Sequence, residues 1–408
     1  MCGDGVVEGD ETCDDGINDG SYGGCLSDCS ALADRCGDGV QQAQLEACDD
    51  GDDLDGNGCN VDCVVSGSLL WSIDFDLGDE TNDQATGVVA LPDDSFTVVG
   101  YAQASPAASI RRFSPEGEVS WTLPLDYGYP RPQSIAYSAL DEGFSVAGYS
   151  VPSDAWVVGA TLNGNPTWED EYPADSFTFD VAALANGGFV AVGGHVDLTW
   201  ARRYGSQGEL DWSVELPEPS ILTSVIGHPD GGFIIAGISD ATNSLWMRRY
   251  SESNQTLWTR DLAGYETPGE LAVADNGSLY ISGTNWSDGE LWVLSLTAEG
   301  IEVWARSYAP PGGGSTASAR GTAAAVGGGV FVVGQQYDVA QPAPSDILVR
   351  RYSAVGDLDW QQVVTSPYGS DGFQLANDAA VDSVGNLIVV GALTTDDGGN
   401  PWVGKFAP

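Results

Sequence analysis

From Val64 onward the chain alternates short apolar runs with turn residues. Val181-Ala182-Ala183-Leu184 leads into Asn186-Gly187-Gly188. Phe189-Val190-Ala191-Val192 then closes on Gly193, and Trp200-Ala201-Arg202-Arg203-Tyr204 follows. The runs are β-branched and aromatic and the turns are Asp-Gly, Asn-Gly or Gly-Gly, which predicts antiparallel strands joined by hairpins. No 3.6-residue periodicity lasts beyond a turn or two, so helices are expected to be almost absent. A turn glycine followed four residues later by tryptophan recurs along this region. The tryptophans are Trp71, Trp121, Trp168, Trp212, Trp258, Trp304 and Trp360, spaced by 44 to 56 residues. Asn254 replaces the glycine in one copy. Seven copies at such a period mark a radial or linear repeat.

Each repeat carries four strand signals: the Trp strand, an apolar run ending in a turn, a run ending in glycine, and a run with a basic, aromatic finish. Four strands and seven repeats predict an all-β, seven-bladed β-propeller over residues 66–408, the radial arrangement that leaves few sheet edges exposed. The region opens with a Trp strand, Leu69 to Ile73, and ends on Trp402-Val403-Gly404-Lys405-Phe406 with no Trp strand after it. The first Trp strand is therefore expected to complete the last blade and close the ring.

Residues 1–65 are built differently. All eight cysteines lie here, with 17 acids, one base (Arg35) and few large apolar side chains. Such a segment buries too little area to offset its chain entropy, so covalent or metal cross-links must help. Two units align, 2–29 with Cys2, Cys13, Cys25 and Cys29, and 36–63 with Cys36, Cys48, Cys59 and Cys63. Even number and dense spacing predict a disulfide framework and an oxidising compartment, with pairing inside each unit favoured and connectivity open. Zinc is disfavoured because the close pairs are Cys-x-x-x-Cys and the segment has no histidine. Calcium is the better candidate. Asp53-Leu54-Asp55-Gly56-Asn57-Gly58 matches the first half of a calcium loop, with Asp50 upstream, and Asp15, Asn18 and Asp19 occupy the corresponding region of the first unit. The closing glutamate of such a loop is missing at the expected distance, and a solvated acidic loop is the competing reading.

Both units read Cys-Gly-Asp-Gly, then Glu-x-Cys-Asp-Asp-Gly, then Gly-x-Cys-x-x-x-Cys. In this they resemble the cysteine-rich repeat of exported proteins of myxobacteria and related bacteria. The resemblance implies extracellular display beside another domain. A more distant likeness is to calcium-binding Notch-type modules. The repeated body, with Asp230-Gly231-Gly232-Phe233-Ile234-Ile235-Ala236-Gly237, resembles secreted propeller repeats of deltaproteobacteria, which implies fold and export. It is similar more loosely to the Gly-x-x-x-Trp repeats of quinoprotein propellers.

Net charge is −46, with Lys405 the sole lysine beside 13 arginines. Nucleic acid is a poor partner for that balance, since phosphate contacts need cations. Solubility accounts for the charge without any partner. No hydrophobic run approaches the ~20 residues of a membrane span, and Met1 runs directly into the first cysteine unit with no export signal. The expectation is a chain whose start is truncated or misplaced, from an extracellular or cell-surface protein.

Candidate sites are few. The once-per-repeat tryptophans suit blade packing better than a sugar platform. The Arg-Arg pairs at Arg111, Arg202, Arg248 and Arg350 point to opposite strand faces, which favours ion pairing or stacking between blades over an anion site. One position on the innermost strand reads Gly87, Ser134, Asp180, Ser224, Glu270, Gly321 and Asp378. Its acids, Asp180, Glu270 and Asp378, are the candidate ligand residues at the channel mouth, and hydrogen bonding to the neighbouring blade is the competing role. The irregular loops of the longer sixth and seventh repeats are a further place to search. His195 and His228 stand alone and no catalytic motif is present. The expected function is a monomeric, non-enzymatic binding or adhesion protein with a glycan or protein ligand and no cofactor beyond calcium. The alternative is a polysaccharide-active or quinoprotein-like enzyme at the channel mouth.

Overall fold

The computed structural model describes residues 1–77, 83–102, 107–126, 130–151, 154–172, 175–195, 198–216, 221–239, 241–311, 314–338, 341–365, 374–395 and 398–408. The chain divides into two compact units, Met1–Leu70 with Phe406–Pro408, and Trp71–Lys405. No helix among the described residues is long and apolar enough to cross a membrane.

The larger unit is a seven-bladed propeller of four-stranded sheets. Blade 3 shows the pattern: Ser176–Ala183 is innermost, then Phe189–His195, Leu198–Tyr204 and outermost Leu210–Leu216, each antiparallel to the last. The last blade comprises Gln374–Val381, Leu387–Thr395 and Gly398–Phe406, and Leu69–Asp74 supplies its outer strand. The ring thus closes as the offset in the repeat predicted.

Two tryptophan sets build the interior. On the third strands, Trp156, Trp200, Trp246 and Trp292 are fully buried and lie opposite Gly148, Gly193, Gly237 and Gly283. A Cβ at Gly148 would come within 2.6 Å of the Trp156 ring, so in these four blades the second-strand glycine makes room for an indole, whereas Gly100 and Gly334 lie opposite Ser109 and Leu348.

The once-per-repeat tryptophans occupy the outermost strands, and three of them latch their blade to the next by an indole hydrogen bond. The indole N–H of Trp121 donates to Leu162 O at 3.0 Å, that of Trp258 to Ala298 O at 3.1 Å and that of Trp304 to Ala354 O at 2.9 Å. Those carbonyls lie in the outer hairpin turn of the following blade, two residues before Gly164, Gly300 and Gly356. A Cβ at Gly164 would meet Trp121 at 2.7 Å. The glycine also holds φ 74°, where other residues are strained. Asn254, which replaces glycine in the fifth copy, holds φ 59°, a conformation asparagine tolerates. Glycine and tryptophan of one repeat therefore serve different contacts, each with a neighbouring repeat.

The arginine pairs split as strand geometry requires. Arg202 lies over the Tyr172 ring at 4.1 Å and pairs with Asp170 at 2.6 Å, while Arg203 pairs with Asp211. Arg112 and Arg249 also donate to Leu162 O and Ala298 O, the same carbonyls that accept from Trp121 and Trp258.

In the cysteine-rich unit the disulfides are nested: Cys2–Cys29 around Cys13–Cys25, and Cys36–Cys63 around Cys48–Cys59. Val6, Ile17, Leu45 and Leu54 stay exposed, so this unit relies on cross-links and on carboxylates that cap its turns. Asp14 accepts N–H groups from Gly3 at 2.8 Å, Asp4 at 3.1 Å, Gly5 at 3.2 Å and Gly16 at 2.8 Å. Asp49 does the same in the second unit with Asp38, Gly39 and Gly51. Tyr22 of the first unit donates its hydroxyl to Glu46 of the second at 2.5 Å. That bond holds the Tyr22 phenol up at about 12.

Candidate functional site

The seven innermost strands converge on the channel, and each is interrupted at the same place. A register shift falls between Ala85 and Gly87, Pro132 and Ser134, Thr178 and Asp180, Leu222 and Ser224, Pro268 and Leu271, Ala319 and Gly321, and Ala376 and Asp378. A β-bulge inserts an extra residue and re-aims the side chains beside it. Here it places one position in a ring of bonds between blades and turns the residue before it toward the cavity.

The ring runs blade to blade. Val181 N–H donates to Ser134 Oγ at 3.4 Å, Val225 N–H to Asp180 Oδ2 at 2.7 Å and Leu271 N–H to Ser224 Oγ at 3.1 Å. Thr322 N–H donates to Glu270 Oε2 at 3.1 Å, and Val88 N–H to Asp378 Oδ2 at 2.7 Å across the closure. In every case the donor is the residue just after the ring position of the next blade. Gly87 and Gly321 have no side chain to give, and there the blades approach backbone to backbone. A Cβ on Gly321 would lie 2.8 Å from Asp378 Cα. With nothing projecting from Gly321, the carboxyl of Glu270 comes into hydrogen-bonding reach of Asp378, and both acids are raised above the ordinary carboxylate range.

The acids respond to this setting. Burial pushes Asp180 up to about 6, against the pull of the hydrogen bonds it receives from Ser134, Val225, Ser224 and Val181. Glu270 is raised well above the carboxylate range by burial and by the neighbouring Asp378 charge. Each of the three predicted residues thus lines the channel, and each also ties its blade to the next. The oxygens of Asp378 accept Val88 N–H and Ala379 N–H, and those of Asp180 accept Val181 N–H and Val225 N–H.

Above the ring lies a cavity of about 610 Å³, within the size range of small-ligand pockets. Residues that sequence reading passed over line it. Thr86, Gln133, Phe179, Thr223, Arg320 and Asn377 each immediately precede a ring position, with Trp286 and Tyr149 beside them. Their signal in the sequence was the residue directly before each ring position, where strict in-out alternation breaks.

The calcium candidates are engaged in local hydrogen bonds that cap the turns of the cysteine-rich unit. Asp15 accepts N–H groups from Ile17, Asn18 and Cys25, and Asn18 Oδ1 accepts Asp15 N–H. Asp19 caps Ser21, Asp50 caps Cys59, and Asp55 caps Val61. Asn57 donates to Asp52, and Asp53 lies 3.8 Å from Arg35. The oxygens that do converge among the described residues belong to Glu11 with Asp14 and Glu46 with Asp49, each pair beside a disulfide sulfur. His228 is buried, with Nδ1 at 3.0 Å from the Arg249 guanidinium. Parts of the loops of the sixth and seventh repeats, 339–340, 366–373 and 396–397, lie outside the described residues.

No protein-family model matches the chain, and no curated protein matches it. Solved structures do. BBS1N, solved in complex with ARL6DN, is 14% identical with a TM-score of 0.52, covering 85% of this chain and 98% of its own. A protein from Lactobacillus plantarum is 16% identical with a TM-score of 0.51, over 70% of this chain and 86% of its own. The Dos1 propeller is 12% identical with a TM-score of 0.49, over 84% and 95%. What is shared is the propeller fold. Identities this low carry no activity across, because propellers host many functions.

Proposed function

We propose that this is an exported, non-enzymatic binding protein whose ligand, a glycan or a protein segment, enters the cavity at the channel mouth. One observation carries the reading. Seven bulges separate two jobs, committing the ring residues to bonds between blades and presenting a varied set of side chains to an open cavity. Four disulfides support export, since they persist in oxidising compartments. The likeness of the cysteine units to repeats of exported bacterial proteins supports the same placement, with these units as a stalk or second contact.

Thr223→Trp tests the site by filling the cavity from its wall. Glycan-array and pull-down binding by the wild type should disappear in this variant while the unfolding midpoint holds. Binding that survives the filled cavity would overturn the assignment. The enzymatic alternative rests on the two neighbouring, buried carboxyls of Glu270 and Asp378. Saturable turnover of a polysaccharide or an alcohol, lost in Glu270→Gln or Asp378→Asn, would replace the binding reading with it. Calcium binding is a separate proposal, resting on the oxygen-rich run Asp53 to Asn57. Calorimetric titration of the full chain tests it, and absence of heat at millimolar calcium would end it.

A further inference from the structure

The acids at the channel mouth suggest a cationic ligand, but the cation in the wall points the other way. Twelve of the thirteen arginines donate to a carboxylate, hydroxyl or backbone carbonyl. Arg320 is the exception among the described residues. It is the bulge residue of blade 6, immediately before Gly321, and it lines the cavity. In a chain with 60 acids, a guanidinium that donates no hydrogen bond at all departs from the pattern of the other twelve. Its side chain is exposed at the cavity mouth, where the surrounding wall partly desolvates it and holds it below the ordinary guanidinium value, with the Tyr337 hydroxyl acting in the opposite direction. The neighbouring acids do not neutralise it, being turned to the ring and, for Glu270 and Asp378, to each other.

The remaining wall is suited to a hydroxyl-rich ring. The amide nitrogen of Gln133 is tied back to Pro132 O at 3.2 Å, and that of Asn377 to Ala85 O at 2.8 Å. Their amide oxygens are therefore the atoms offered to the cavity, as acceptors for ligand hydroxyls. Trp286, half exposed at 51%, and Phe179 add aromatic faces of the kind that stack on sugar rings. An unpaired guanidinium presents a fork that matches a carboxylate with two parallel hydrogen bonds.

We infer that the channel mouth is a site for an acidic saccharide, with Arg320 anchoring a uronate carboxylate and Trp286 and Phe179 receiving the sugar faces. The inference rests on the mouth being the binding site and adds the class of ligand. The net charge of the protein does not forbid an anion there, since exposed charges are largely screened beyond ~8–10 Å at ordinary salt.

The test is calorimetry on the full chain with trigalacturonate and with its methyl ester, which has the same rings but no charge. Trigalacturonate should bind, and Arg320→Gln should weaken it about tenfold or more, the loss of a charge-assisted pair. The ester should bind more weakly and be indifferent to that substitution. Trp286→Ala should weaken both, and Arg320→Lys should recover part of the difference. Because Arg320 faces the cavity, its variants are expected to fold with an unchanged unfolding midpoint. Equal binding of acid and ester, or an acid affinity unchanged in Arg320→Gln, overturns the inference and leaves the mouth as the site if Thr223→Trp still abolishes binding. Binding unchanged in Thr223→Trp overturns the site itself. Failure of both saccharides overturns the assignment, as does Arg320-dependent binding of a peptide with a free C-terminal carboxylate in their place.

Discussion

Asp14 and Asp180 are the same residue type with the same occupation, accepting backbone N–H groups, yet their chemistry runs in opposite directions. Asp14 sits at the surface of the cysteine-rich unit. Partial desolvation pushes it up, but the N–H groups of Gly16, Gly3 and Gly5 outweigh that and hold it at about 2. Asp180 is buried at the propeller axis, where desolvation outweighs its hydrogen bonds and leaves it at about 6. The difference teaches how each region is held. One has few apolar contacts of its own, so carboxylates cap its turns around the disulfides. The other has a packed interior, where apolar contact dominates and a carboxylate is tolerated only as part of a ring.

The comparison can be broken at several points. The largest effect is expected from Trp200→Ala, which opens a cavity in a fully buried core and should cost the propeller about 3–5 kcal/mol. Chemical denaturation followed by tryptophan fluorescence measures it, and protease resistance of residues 1–65 should be unaltered. Replacing Cys13 and Cys25 together by serine should cost the first cysteine unit about 2–5 kcal/mol. Limited proteolysis would then cut near residues 13–25, while the propeller transition stays in place.

Asp180→Ala leaves Val225 N–H and Ser224 Oγ–H short of an acceptor and should destabilise the propeller by about 1–3 kcal/mol. Its pH signature follows from linkage. An acid raised from 3.8 to about 6 on folding contributes stability that is complete below pH 4 and lost as pH rises through 6. Glu270 has the same sign. The propeller should therefore gain stability on acidification from pH 7 to pH 5, and the gain should shrink in Glu270→Gln, which keeps an acceptor for Thr322 N–H. Asp14 predicts the reverse for the cysteine-rich unit, whose stability should persist down to about pH 4 and fall as pH drops toward 2. Thermal melts across this range, read separately for each region by hydrogen exchange, would expose a wrong sign in either. The smallest effect is expected from Tyr22→Phe, which removes the bond to Glu46 joining the two cysteine units and should cost about 1 kcal/mol. Faster exchange at both units with the disulfides intact is the expected readout.

Much of the architecture was legible because it is written in repeats. Trp71 to Trp360 gave the blade number, and the missing last Trp strand gave the closure. Nested disulfides satisfy the expectation of pairing within each unit, but only the structure chose Cys2–Cys29 and Cys13–Cys25 over other pairings, because spacing alone permits them all. The acids of the inner strands were found as a set, and hydrogen bonding to the neighbouring blade was weighed for them. That Glu270 reaches Asp378 was not legible, because it depends on Gly321 leaving the space between them vacant. Arg320 and its companions were missed for a related reason. A bulge changes which side chain faces the channel, and strict alternation places them in the wall.

By itself the sequence determined the fold class, the number of blades, the strand that closes the ring and the split between a cross-linked acidic segment and a packed β body. Those follow from periodicity and composition, which are local properties added over many copies. Only the tertiary structure decided which groups face the channel and which acids are raised above the ordinary carboxylate range. It likewise decided that the turn glycines Gly117, Gly164, Gly208, Gly300 and Gly356 each pack against the tryptophan of the preceding blade. These depend on residues roughly a repeat apart, or at opposite ends of the chain, being brought within bonding distance, and burial there sets the balance between a charge and its hydrogen bonds.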